Sequence, residues 1–195
     1  MAACYETVTS ERCANLLGRI EGLRISRPWL GYANVLFLEL GKLHTETLKT
    51  RRRTLRTRKG QVCFMIEPNW RVEKRRSIQF GSEFSDARIA KGVPSLRGQH
   101  VERIELTDGL PELQVTFDDG RCLRTFADWD TQPAWTILVH DRSLADLASV
   151  WDGIDVTPCL HVEQGRLQIE YDFDDRDIDL RRLRRFRCPR LQKRR

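Results

Sequence analysis

The residues best suited to recognition chemistry are basic and segregated. Residues 49 to 59 contain seven Lys or Arg in eleven positions (Lys49, Arg51, Arg52, Arg53, Arg56, Arg58 and Lys59), and residues 181 to 195 contain nine in fifteen, with no acid in either stretch. Sixteen of the 34 basic residues are confined there. The other 18, set against 28 acids, leave the rest of the chain at about −10, although the whole carries +6. Arginine outnumbers lysine in both segments, and its planar guanidinium presents paired donors matched to phosphate or carboxylate. Fixed charge of this kind holds a phosphate backbone or an acidic protein surface. The expected partner is therefore nucleic acid or an acidic protein, contacted through residues 49 to 59 and through Arg181, Arg182, Arg184, Arg185 and Arg187.

Other chemistries lack their patterns. Neither G-x-G-x-x-G nor G-x-x-x-x-G-K-[ST] occurs, so the chain has no phosphate-cradling glycine loop of known type. His44, His100, His140 and His161 are far apart and lack H-x-x-x-H or H-E-x-x-H spacing. The carboxylates of Asp118 and Asp119 fall in a tight-turn signal where Asp serves the backbone, and those of residues 172 to 179 follow a strand end. No metal, cofactor or catalytic group is expected. A divergent metal-dependent nuclease stands as the alternative from the enzyme class, because carboxylates that converge on folding would hold Mg²⁺. Six cysteines without a C-x-x-C pair read as buried thiols of a cytosolic protein. No apolar run, residues 35 to 38 included, exceeds strand length, so no membrane span is expected.

Hydropathy patterning gives the elements that must carry the basic segments. Leu113, Val115 and Phe117 alternate with polar neighbours, Asp118-Asp119-Gly120 is a turn, and Cys122, Leu123 and Phe126 return as the partner strand. An opening hairpin is expected from Ile20, Leu23 and Ile25 through the breakers Pro28 and Gly31 to the run at 35 to 40. Further strands are expected at 43 to 48, 61 to 67, 70 to 80, 101 to 106, 135 to 139, and in a hairpin at 159 to 173. The basic residues 49 to 59 lie between two of these, either as a long exposed loop or as two projecting strand ends. Residues 1 to 15 show no strong period and read as a loosely held lead, with Thr9 or Ser10 able to cap a short helix through Leu17. Residues 81 to 98 read as irregular with one helical turn, and a helix is expected from Asp141 or Ser143 to Trp151. Leu180, Leu183 and Phe186 fall within a 120° arc at 100° per residue, with Arg181, Arg182, Arg184 and Arg185 opposite, which predicts a basic amphipathic C-terminal helix ending at Pro189 and a frayed tail beyond it. Trp70, Trp135 and Trp151 fall on apolar faces and are expected in the core, and Trp129 between two acids is expected outside it.

The predicted fold is α+β: a mainly antiparallel sheet built from hairpins, with two or three helices, one of them the basic C-terminal helix. Residues 1–179 form the body with the basic insertion at 49–59, and 180–195 form the helix and tail. The strings Glu67-Pro68-Asn69-Trp70-Arg71-Val72, Ile78-Gln79-Phe80-Gly81-Ser82, Leu96-Arg97-Gly98-Gln99-His100-Val101 and Glu112-Leu113-Gln114-Val115-Thr116-Phe117, with Asp119-Gly120, resemble small uncharacterised β-rich bacterial domains of the accessory or immunity type. The resemblance covers residues 16 to 139 and carries over no catalytic residue. It implies a non-catalytic binding or accessory subunit of a bacterial complex, or an immunity-type protein that neutralises a toxin. The basic insertion and the arginine tail depart from that pattern, which points to them as the seat of the specific function.

Overall fold

Alternation of apolar and polar side chains makes most of the described residues β, and the pairing is antiparallel throughout the described strands. The computed structural model describes residues 2–8, 10–49, 54–107, 112–126, 134–141, 144, 156–163, 166–173 and 191–193. In chain order the elements are β1 (Ala2–Thr7), α1 (Ser10–Ile20), β2 (Ile25–Leu30), β3 (Leu36–Leu40), β4 (His44–Lys49), β5 (Thr54–Lys59), β6 (Val62–Ile66), β7 (Trp70–Lys74), β8 (Ser77–Gly81), α2 (Asp86–Gly92), β9 (Val101–Leu106), β10 (Leu113–Phe117), β11 (Arg121–Thr125), β12 (Trp135–Val139), β13 (Val156–Glu163), β14 (Arg166–Phe173) and β15 (Leu191–Lys193). Eight strands form one sheet in the order β15-β1-β14-β13-β12-β6-β3-β2, five form a second in the order β8-β7-β11-β10-β9, and β4 with β5 stands as a two-stranded ribbon.

The two larger sheets each turn one face onto a single apolar core. From the eight-stranded sheet come Leu36, Leu38 and Leu40 of β3, Val62, Phe64 and Ile66 of β6, and Trp135, Ile137 and Val139 of β12; from the other come Trp70, Val72, Val115, Phe117 and Leu123. Alternate residues enter the core because successive strand side chains point to opposite faces. Burial of each such side chain is worth about 1.5–3 kcal/mol. The chain passes from one sheet to the other between β6 and β7 at Pro68 and Asn69. Asn69 takes a left-handed conformation (φ 78°) there, with its N–H donated to Ser82 Oγ at 2.9 Å. Trp70 and Trp135 are buried, as their apolar faces predict, and the Trp70 indole N–H donates to the Asn34 carbonyl at 2.9 Å. Trp129 and Trp151 lie outside the described residues.

Several elements differ from the sequence expectation. Residues 2 to 7 are no loose lead: β1 sits inside the eight-stranded sheet, paired on one side with β14 and on the other with β15. Leu191, Gln192 and Lys193 are correspondingly not a frayed tail, because the β1 edge supplies backbone partners for them. Ile20 belongs to α1, whose buried Cys13, Leu17 and Ile20 recur at helical spacing, so the opening hairpin is formed by β2 and β3 alone. Pro28 is not a breaker; it lies within β2, an edge strand, where a missing N–H is tolerated. Residues 86 to 96 hold α2 and a following 3-10 turn that bury Ile89, Val93 and Leu96. The helix expected from 141 or 143 to 151 falls largely on residues outside those described. So does the basic C-terminal helix with Arg181, Arg182, Arg184, Arg185 and Arg187, leaving α1 and α2 as the α-helices of the described chain.

Candidate polyanion interface

Of the two alternatives open for residues 49 to 59, the structure has the projecting strands. β4 and β5 pair from His44 with Lys59 to Lys49 with Thr54, with Arg51, Arg52 and Arg53 outside the described residues. Six residues per strand give a ribbon about 20 Å long. It continues the β3–β6 hairpin with a change of register: Leu40 pairs with Val62 below, and His44 with Lys59 above, so three residues on one side oppose two on the other. Such an extra residue is a bulge, which bends a strand pair and re-aims its side chains.

Strand alternation sorts the basic residues between two faces, and the register sets which β4 residues oppose them. Thr45 pairs with Arg58 and Thr47 with Arg56, and Thr54 shares that face; all five side chains are exposed and none is acidic. On the opposite face His44 pairs with Lys59 and Glu46 with Thr57, and Glu46, Thr57 and Lys59 are half-buried. There the Lys59 ammonium lies 2.6 Å from a Glu46 carboxylate oxygen, which neutralises it. The seven basic residues of 49 to 59 are thus not equivalent. Arg56 and Arg58, two residues apart and so about 6.7 Å along the strand, point the same way beside hydroxyls that also donate to phosphate. Lys49 lies at the far end of the ribbon, paired with Thr54.

The root of the ribbon is held by residues that sequence reasoning passes over. Glu39 is only 4% exposed, and its carboxylate accepts the Gly60 N–H at 2.8 Å. Gln61 accepts the Lys42 N–H at 3.0 Å and donates to Asp141 at 2.7 Å, while its carbonyl accepts the N–H groups of His140 and Asp141. Ser26 donates to the Gly41 carbonyl and Arg27 to the Arg58 carbonyl at 3.0 Å. A side chain at Gly60 would sit 2.7 Å from the Leu40 nitrogen and closer still to the Leu40 carbonyl oxygen, so only glycine allows the strands to meet there. One signal in the sequence marks this root: Glu39 is an acid inside the apolar run 35 to 40, and a buried carboxylate requires fixed donors.

Electrostatics at the root follow from burial. The Cys63 thiol is pushed far up, by desolvation first and then by the charge of Glu39 and a hydrogen bond to it. His140, its ring edge-on to His44 at 6.3 Å, is depressed to about 4, by burial first and then by the Lys59 ammonium nearby. It is therefore neutral at pH 7 and adds no charge beneath the ribbon.

Elsewhere several of the charged groups have structural partners. Asp118 and Asp119 do serve the β10–β11 turn. Asp118 pairs with His100 at 2.8 Å, which holds its carboxyl below the usual range, and Asp119 receives the Arg121 N–H and guanidinium. The outer edges of the five-stranded sheet are blocked by charged side chains: Glu21 accepts the Ile104 N–H of β9, and Arg88 donates to the Ile78 and Gln79 carbonyls of β8. Trp29 stacks on Phe37 at 4.0 Å with the Arg27 guanidinium over it. Among the described residues no three His, Cys, Asp or Glu side chains come together as metal ligands, and no helix is long and apolar enough to cross a membrane. Comparison with known proteins gives no match among family models, curated proteins or solved structures.

Proposed function

We propose that the protein is a non-catalytic binding or accessory subunit, acting in the bacterial cytosol, that grips nucleic acid through the β4–β5 ribbon. The observation that carries this reading is the sorting of the ribbon into two faces: Arg56 and Arg58 with Thr45, Thr47 and Thr54 exposed together, and Lys59 turned to Glu46. A solvated charge run kept for solubility gains nothing from such sorting, whereas phosphate recognition needs convergent donors on a rigid support. The bonds at Glu39, Gly60, Gln61 and Asp141 provide the support. Arg181, Arg182, Arg184, Arg185 and Arg187 add a second basic segment to the same reading.

The test is equilibrium binding of the intact chain to a labelled DNA duplex at about 50 mM salt, beside a Lys49→Gln/Arg56→Gln/Arg58→Gln variant. The expected result is binding by the intact chain and a loss of ten-fold or more in the variant. Absence of binding by the intact chain, with capture of an acidic polypeptide such as polyglutamate instead, overturns the nucleic-acid reading in favour of an acidic protein partner.

A further inference from the structure

We infer that the Arg56/Arg58 face of the ribbon enters the major groove of B-form duplex DNA. The inference rests on the nucleic-acid reading above and goes further by choosing duplex over single strand and DNA over RNA. The choice follows from shape. The major groove of B-DNA, about 12 Å wide, admits a two-stranded β-ribbon, whose backbones are about 4.8 Å apart and whose side chains fill the remaining width. The major groove of an A-form RNA helix is too narrow and deep for side chains to read.

The face has the composition that groove entry needs. Arg58 opposite Thr45 and Arg56 opposite Thr47 repeat one cross-strand pair along the ribbon. Arginine bonds guanine O6 and N7 or adjacent phosphates, and threonine offers a hydroxyl and a methyl to base edges. No carboxylate lies on this face among the described residues, since Glu46 is on the other one, paired with Thr57. Arg56 and Arg58, about 6.7 Å apart along the strand, span two base-pair steps of about 3.4 Å along the helix axis.

Single-stranded nucleic acid asks for something the face does not have. Base stacking needs free aromatic surfaces beside the basic groups. The described residues of the ribbon include no Phe, Trp or Tyr, and the nearby Trp29 is occupied by Phe37 and Arg27. The exposed Tyr32 belongs to a turn before β3, at the other end of that strand from the ribbon. A ribbon that projects from a fixed root also suits a groove better than a flat surface does. The bulge at Gly41 to Leu43 opposite Gly60 and Gln61 re-aims it, and the contacts at the root hold it.

The experiment compares the intact chain with an Arg56→Gln/Arg58→Gln variant on a 20-base-pair DNA duplex, an RNA duplex of the same sequence, the single DNA strand and heparin, all at one salt concentration. Methyl green, which occupies the major groove, and netropsin, which occupies the minor groove, serve as competitors. The inference predicts at least ten-fold tighter binding to the DNA duplex than to the RNA duplex or single strand. It also predicts displacement by methyl green and not by netropsin, and a loss of about ten-fold or more in the variant for the DNA duplex. Equal binding to all four polyanions overturns groove entry while leaving a general polyanion interface in place. Binding to none of them overturns both readings.

Discussion

Replacing Gly60 by alanine tests the ribbon root without touching a charge. The added Cβ would meet three backbone atoms, the Leu40 oxygen, the Leu40 nitrogen at 2.7 Å and the Val62 oxygen at 3.0 Å. None of these can rotate away as a side chain would, so strand β3 must move. Overpacking of this sort costs about 1–3 kcal/mol. The displacement also threatens the bond from the Gln61 N–H to the Leu40 carbonyl, 2.8 Å long, worth about another 1 kcal/mol. The expected loss is about 2–4 kcal/mol, or roughly 4–16 °C in Tm for a chain of this size. Thermal unfolding followed by circular dichroism measures it. Gly18→Ala is the control: Gly18 lies exposed in α1 with nothing within 4 Å of an added Cβ, so the change should stabilise the helix by about 0.5–1 kcal/mol. If Gly60→Ala unfolds within 1 °C of the parent, the strands do not meet as closely as described and the argument for a rigid root fails.

Other outcomes follow from the same structure. Phe117 is fully buried between the sheets, so Phe117→Ala should cost about 3–5 kcal/mol in urea unfolding; a cost under 1 kcal/mol would place the ring outside the core. His140 has a folded pKa of about 4 against an ordinary 6.5, so the unfolded chain binds a proton that the folded chain refuses. Its contribution is complete above pH 6.5 and is lost as pH falls toward 4; after allowance for its partial exposure this amounts to about 1–2 kcal/mol, and a His140→Gln variant should show a flatter stability curve in that window. An unchanged curve would remove His140 from the titration. Incubation of the chain with Mg²⁺ or Mn²⁺ and labelled DNA or RNA should leave the nucleic acid intact, and cleavage abolished by Glu67→Ala would move the protein to the nuclease class.

The parts of the fold that show in the sequence are those decided locally. Leu113, Val115 and Phe117 alternate, Asp118-Asp119-Gly120 turns, and the partner strand follows at once, so nothing distant is needed to specify the hairpin. Ile89, Val93 and Leu96 carry a local signal too, a spacing of four and three on the buried side of α2 and its 3-10 continuation, but the reading of 81 to 98 as irregular with one helical turn passes over it. β1 is different: Ala2 to Thr7 has no period of its own, and its strand conformation comes from β14 and β15, more than 150 residues away. The ribbon lies between these cases. Its charge is plain in the sequence, and Arg56 and Arg58 share a face by strand alternation, but which β4 residues oppose them and which way that face is turned depend on the bulge at Gly41 to Leu43 opposite Gly60 and Gln61. The root gathers Glu39, Gly60, Gln61 and Asp141 from across about a hundred residues, a convergence that only folding produces.

The account places anion binding on one face of the ribbon and not on net charge alone. The most direct measurement is the dependence of DNA-duplex affinity on salt for three proteins: the intact chain, Arg56→Gln/Arg58→Gln, and Arg75→Gln/Arg76→Gln. The last removes the same charge from the exposed turn between β7 and β8. Each phosphate contact contributes about −0.9 to the slope of log K against log salt. Loss of Arg56 and Arg58 should therefore flatten the slope by about 1.8, and loss of Arg75 and Arg76 should leave it unchanged. Equal flattening in both variants, or none in the ribbon variant, would contradict the claim.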